Sequence, residues 1–191
     1  MKILLAGDSF AANWNDIATN AWWQLVAQEN VVHNVAQPGC GEYKILQQLL
    51  NCDLKKYDLI VVCHTSPYRI HTLLNPFHNT GFHKNSDLIY TDISCAEESD
   101  KKNHIIYFFE NIFDLDYARC IHNLVKKEIT QVLASYNNLH ISFFENFKNE
   151  YTNCQEINLY HVWKKHPGHI NHLSPAGNQQ AYVEIKKRIV S

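Results

Sequence analysis

The chain has 191 residues, 46% hydrophobic and 19% charged, enough apolar material to bury a core and unlike a disordered or fibrous protein. Seventeen Lys and Arg against 19 Asp and Glu leave a formal net charge of -2, which excludes the basic face of a large nucleic-acid footprint. The six cysteines (Cys40, Cys52, Cys63, Cys95, Cys120, Cys154) are scattered without a C-x-x-C pair and read as reduced thiols.

Lys2 to Ala6 is a short apolar run closed by Gly7, the pattern of a buried strand. It is shorter than the roughly 7–15 residues of a secretory h-region. No window nears the roughly 18 apolar residues of a membrane span. The expectation is a cytoplasmic protein with no membrane partner. After Asp8-Ser9-Phe10 a polar stretch leads to the helical patch Ala21 to Ala27, where Trp22-Trp23 reads as a packed face. Val31 to Ala36 is a second strand, closed by the turn residues Gln37-Pro38-Gly39-Cys40-Gly41. Tyr43 to Leu50 places apolar residues at 45, 46, 49 and 50, a helix face. Asp58 to Cys63 is a third strand, followed by His64-Thr65-Ser66-Pro67.

Strands alternating with helices imply βαβ units and a parallel sheet. Ligands of open α/β sheets bind along the edge formed by the strand C-termini. Ser9, Gly39 and Ser66 each follow a strand, so the three should meet there.

From Arg69 to about Asn103 the pattern breaks down, in a stretch too long for an ordinary connection and of the kind that forms lids or binding loops. Periodicity returns from His104 to Ser135 through Ile105, Phe109, Ile112, Ile121, Leu124, Val125, Ile129 and Val132, with a break near Asp114-Leu115-Asp116. Leu139 to Phe144 and, more weakly, Ile157 to Val162 are the fourth and fifth strands. Pro175 to Val190 is a terminal helix with Ser174 as N-cap. With no repeat and no linker, the expectation is one domain over 1–191 carrying an insertion or lid around 69–103.

Three short stretches carry a resemblance. Gly7-Asp8-Ser9-Phe10, Asn34-Val35-Ala36-Gln37-Pro38-Gly39 and His172-Leu173-Ser174-Pro175-Ala176-Gly177-Asn178 resemble the first, second and fifth blocks of the SGNH (GDSL-type) hydrolases. The resemblance implies a three-layer α/β/α sandwich, flavodoxin-like, with a parallel sheet of about five strands. It implies Ser9 as nucleophile, His172 as base, and Ser9 N–H, Gly39 N–H and a group from the third block as oxyanion donors. Asp8 belongs to the same first block.

The chemistry of those residue types agrees. A serine hydroxyl is a weak nucleophile and needs an adjacent base. Gly39 lets a backbone N–H approach a substrate oxygen with no Cβ in the way. G-D-S by itself is ordinary turn chemistry; its weight comes from Gly39 and His172 standing at fitting positions.

Two departures stand out. The third block of the family is Gly-x-Asn-Asp, and here Ser66 stands where the asparagine would be, with Thr65 or Arg69 able to share the donor role. The family's aspartate three residues before the base is His169 here, and a neutral imidazole orients a partner ring but does not stabilise an imidazolium as a carboxylate does. The site then uses a neutral His169 as acceptor for the Nδ1–H of His172, runs as a Ser9–His172 dyad, or borrows a carboxylate from Asp87, Asp92, Glu97, Asp114 or Asp116; Asn171 and Ser174 are weaker orienters.

Eight of the twelve histidines crowd around 64–83 and 161–172, but no H-E-x-x-H occurs, so no metal is expected. G-x-G-x-x-G, the P-loop and G-x-S-x-G are also absent. No cofactor is implied. Trp14 is a candidate sugar platform near Ser9, and Lys186-Lys187-Arg188 reads as a solvated helix end. The expected activity is serine-dependent hydrolysis of a carboxylic ester through an acyl-enzyme. Its partner would be a small-molecule or carbohydrate ester, O-acetylated sugars being one such substrate. The alternative is a weak or inactive binding module on the same scaffold.

Overall fold

The structure is a computed structural model and describes residues 1–13, 20–78, 80–145, 156–168 and 172–189. Five strands, β1 (Lys2–Gly7), β2 (Val31–Asn34), β3 (Leu59–His64), β4 (Asn138–Ser142) and β5 (Glu156–Asn158), form one sheet in the order β2-β1-β3-β4-β5. All four pairings are parallel. This is the flavodoxin-like order, and its direction reverses between β1 and β3, the point at which open α/β sheets bind ligands beyond the strand C-termini.

Alternation along the strands sorts the core into two layers. Ile3 and Leu5 of β1, Leu59 and Val61 of β3, and Leu139 and Ile141 of β4 face one side. There they pack against Trp22 and Val26 of α1 (Trp22–Ala27), Val162 of α5 (Tyr160–Lys165), and Ala181 and Ile185 of α6 (Pro175–Ile189). Leu4, Ala6, Ile60 and Val62 face the other side, covered by Ile45, Leu46 and Leu49 of α2 (Glu42–Leu50) and Ile129 and Leu133 of α4 (Leu115–Leu133). The three-layer α/β/α arrangement expected from the sequence is the observed one.

Local signals set the boundaries. Asp114 Oδ1 accepts the Asp116 and Tyr117 N–H groups and caps α4, which explains the break after α3 (Asp100–Asn111). Ser174 Oγ accepts the Gly177 N–H at 3.3 Å and starts α6. The expected fifth strand, 157–162, is shorter than its apolar pattern. Asn158 Oδ1 takes the Tyr160 N–H at 2.9 Å and turns the chain into α5.

The buried stripe of α4 also differs from expectation. Ile121 and Leu124 are exposed, whereas His122, Lys126, Ile129 and Leu133 face the sheet. Two ionisable residues thus occupy the inward face, because polar partners wait for them there. Among the described residues no helix is long and apolar enough to cross a membrane. Cys40, Cys52, Cys63 and Cys120 are free thiols; Cys154 and Trp14 lie outside the described residues.

Candidate active site

The first site turn begins where β1 meets β3. A Cβ on Gly7 would stand 2.6 Å from Cys63 Cβ and 2.8 Å from the Cys63 carbonyl oxygen, so only glycine allows this approach. Gln48 of α2 holds the Gly7 peptide on both sides, accepting its N–H at 2.8 Å and donating Nε2 to its carbonyl at 3.1 Å. The chain then folds back on Asp8: its carbonyl accepts from Ala11 and Ala12, and its Oδ1 accepts the Phe10 N–H at 3.0 Å. Ser9 lies half-buried inside this turn.

Asp8 is fully buried, and burial raises its carboxyl pKa to about 6, against the Phe10 N–H, Arg69 and Thr65, which all favour the charged form. A carboxyl of that strength, next to the serine, changes charge near neutral pH.

The second turn carries Gly39 at φ +69°, a left-handed conformation suited to glycine. Its carbonyl accepts from the Asp87 N–H at 2.8 Å and from Arg69 Nη1 at 3.1 Å. A Cβ here would lie 2.6 Å from Ser86 Cβ. The insertion is therefore packed directly on the glycine turn. An antiparallel bridge between Ile70 and Leu88 holds the start of the insertion to its middle.

Asp87, buried at 0% exposure, fastens the insertion in place. Its Oδ2 accepts the Gly41 N–H at 2.6 Å, its Oδ1 accepts the Thr72 N–H at 2.9 Å, and Lys44 Nζ lies 2.8 Å from Oδ1.

The third turn, Thr65-Ser66, is buried at the end of β3. Glu42 of α2 accepts the Thr65 N–H at 3.2 Å and pairs with His64 Nδ1. His64 Nε2 meets His140 Nδ1 of β4 at 2.7 Å, His122 Nδ1 lies 3.9 Å from Glu42 Oε2, and Lys126 Nζ lies 3.5 Å from Glu156 of β5. Burial holds His64 well below the usual histidine range, His122 at about 4 and His140 at about 3. Burial likewise raises the Glu42 carboxyl. This polar layer under the third turn was not legible in the sequence; Gly41-Glu42 reads as an ordinary acidic helix start. Among the described residues no group of three or more His, Cys, Asp or Glu could hold a metal ion.

The Phe10 ring stacks on Phe143 at 4.6 Å and lies 5.4 Å from the ring of His172, which brings His172 beside the Ser9 turn. The segment before α6 is tied back on itself, Gly168 N–H to the His172 carbonyl at 2.6 Å and Ser174 N–H to the His166 carbonyl at 3.0 Å. His169 and Asn171 lie outside the described residues.

The carboxylates offered by the sequence as partners of His172 have other duties or lie apart. Asp87 holds Gly41, Thr72 and Lys44; Asp92 bonds Asn75 and the Ile89 N–H; Asp114 caps α4; Asp116 pairs with Arg119. Glu97 lies in the exposed stretch before α3.

The turns bearing Asp8-Ser9, Gly39 and Thr65-Ser66 share one sheet edge, with Arg69 against Gly39 and His172 against Phe10. No family model matches the chain, and no curated protein matches its sequence. Among solved structures it is similar to the lipase/acylhydrolase from Enterococcus faecalis, at a TM-score of 0.55 and 15% identity, covering 98% of this chain and 94% of that one. The likeness is one of fold. It runs the length of both chains.

Proposed function

We propose that this protein is a serine-dependent hydrolase of carboxylic esters. The observation that carries the reading is the convergence of the Ser9, Gly39 and Ser66 turns on one edge with His172 beside the first of them. A fold shared with a lipase/acylhydrolase supports it.

In this mechanism Ser9 Oγ attacks the ester carbonyl carbon while His172 takes its proton. The oxyanion is met by the Ser9 and Gly39 N–H groups and the Ser66 hydroxyl. Removing one such donor typically lowers the rate by about 10²–10³. The tetrahedral intermediate expels the alcohol, which recovers the proton from His172. Water then attacks the acyl-enzyme with His172 again as base, releasing the acid and restoring Ser9. Short acyl groups on polar molecules, O-acetylated sugars among them, suit a site with Arg69 and the insertion packed against Gly39 better than long acyl chains do.

The test is hydrolysis of p-nitrophenyl acetate by wild type, Ser9→Ala and His172→Ala. Activity lost in both variants supports the reading, and equal rates for all three overturn it. A second reading, a binding module that retains the scaffold, is favoured by one observation: the third turn carries Ser66 in place of an asparagine amide, with the Thr65 N–H already given to Glu42. Stoichiometric fluorophosphonate labelling that depends on Ser9 excludes that module; no labelling at any pH supports it.

A further inference from the structure

We infer that Arg69 is an anion-recognition residue, and that the preferred substrate is an ester bearing a carboxylate or phosphate group close to the scissile bond. The inference rests on the ester-hydrolase reading and names the substrate class within it.

Position comes first. Arg69 Nη1 donates to the Gly39 carbonyl at 3.1 Å and would stand 3.6 Å from a Cβ on Gly39. The guanidinium therefore lies against the residue assigned to the oxyanion. Its charge also reaches Asp8, beside Ser9, and Cys40, beside Gly39.

Pairing comes second. Three neighbouring basic side chains have carboxylate partners: Lys44 and His71 on Asp87 at 2.8 and 3.3 Å, and His78 on Asp92 at 3.4 Å. Arg69 has no carboxylate within ion-pair distance among the described residues. Asp8 is not a full counter-ion either. Despite Arg69, its carboxyl remains raised to about 6.

Donor capacity comes third. A guanidinium carries five N–H donors in a planar fork that matches carboxylate and phosphate oxygens. The Gly39 carbonyl takes one. Nε is buried and has no hydrogen-bond partner among the described residues. A half-buried cation with a buried donor left unpartnered is costly to hold, and an anionic substrate group at the outer face of the guanidinium would offset that cost.

The experiment uses matched pairs differing only in charge. 4-Acetoxybenzoate against its methyl ester puts the charge on the alcohol side; 4-nitrophenyl hydrogen adipate against 4-nitrophenyl methyl adipate puts it on the acyl side. 4-Acetoxyphenyl phosphate separates phosphate from carboxylate. In wild type, kcat/KM should favour the charged member of at least one pair by about tenfold to a hundredfold, as charge-assisted hydrogen bonds allow. Arg69→Gln should collapse that ratio toward one, and Arg69→Lys should keep part of it. No preference in wild type, or a ratio unchanged in Arg69→Gln, overturns the inference while Ser9-dependent hydrolysis stands. Equal losses on both members of a pair also overturn it, since Arg69 would then serve the oxyanion. A binding arm is independent of turnover: by calorimetry, glutarate or inorganic phosphate should bind Ser9→Ala and not Ser9→Ala/Arg69→Gln. Binding of neither, or of both alike, counts against the inference even if no ester is hydrolysed.

Discussion

Asp87 Oδ2 accepts the Gly41 N–H at 2.6 Å, joining the middle of the insertion to the first turn of α2. The same carboxylate holds Thr72 and Lys44, and the Asp87 N–H holds the Gly39 carbonyl. The segment around residues 70–88 is thereby the backing of the glycine turn.

Asp87→Asn should therefore damage both stability and activity. Both carboxylate oxygens accept backbone N–H groups, and an amide nitrogen in either place would set donor against donor. A loss of about 2–3 kcal/mol is expected from urea unfolding. Under the proposed mechanism kcat should fall more than KM rises, because the Gly39 donor moves. An unchanged unfolding midpoint would contradict this account.

Gly39→Ala tests the glycine turn itself. The left-handed backbone costs an alanine about 1–2 kcal/mol, and its Cβ would meet Ser86 Cβ at 2.6 Å. Ester hydrolysis should drop by at least about tenfold, in line with a displaced oxyanion donor. The paired variant Gly39→Ala/Ser86→Gly, which removes the obstructing carbon, should recover part of the loss.

The buried histidines set an acid limit on the fold. His122 is held at about 4 in the folded chain, against an ordinary value of 6.5. The unfolded chain therefore binds a proton that the folded chain refuses as pH falls below about 6.5, and stability is lost down to about 4. Asp8, raised to about 6, works in the opposite direction over nearly the same window, so the whole-protein slope is a difference. The comparison with His122→Gln isolates the histidine. Between pH 7 and 4.5 wild type should lose about 2 kcal/mol relative to the variant in urea titrations. Parallel curves would show that the fold does not hold the His122 pKa down.

Position 169 offers a gain of function. Losing the carboxylate behind a catalytic histidine costs about 10⁴ in kcat in the serine-protease template. If His172 works without one, His169→Asp should raise kcat on p-nitrophenyl acetate. No gain would show that another group already orients His172.

The parallel-sheet α/β class and the meeting of three turns were legible because they depend on local patterns, whereas the three layers were implied by the family resemblance. Apolar runs at 2–6 and 58–63, each followed by glycine or polar turn residues, specify buried parallel strands, and parallel strands bring their C-termini to one edge. That rule alone brings the turns of Ser9, Gly39 and Ser66 together, while their roles came from the resemblance. Ser174-Pro175 and Asp114 likewise announce helix starts through their own side chains.

Contacts between distant segments could not be read this way. Nothing local marks Asp87 as the partner of Gly41, or turns His122 and Lys126 inward while Ile121 and Leu124 face solvent. Burial of an ionisable group depends on which partners the fold brings to it, here Glu42 and Glu156 from other elements. The pairing of Arg69 with the Gly39 carbonyl instead of a carboxylate is of the same kind. Periodicity and turn chemistry act over a few residues, so the sequence by itself determined the strands, helices and shared edge. Charge pairing and the fit of the insertion act across segments far apart in the chain, and only the tertiary structure decided them.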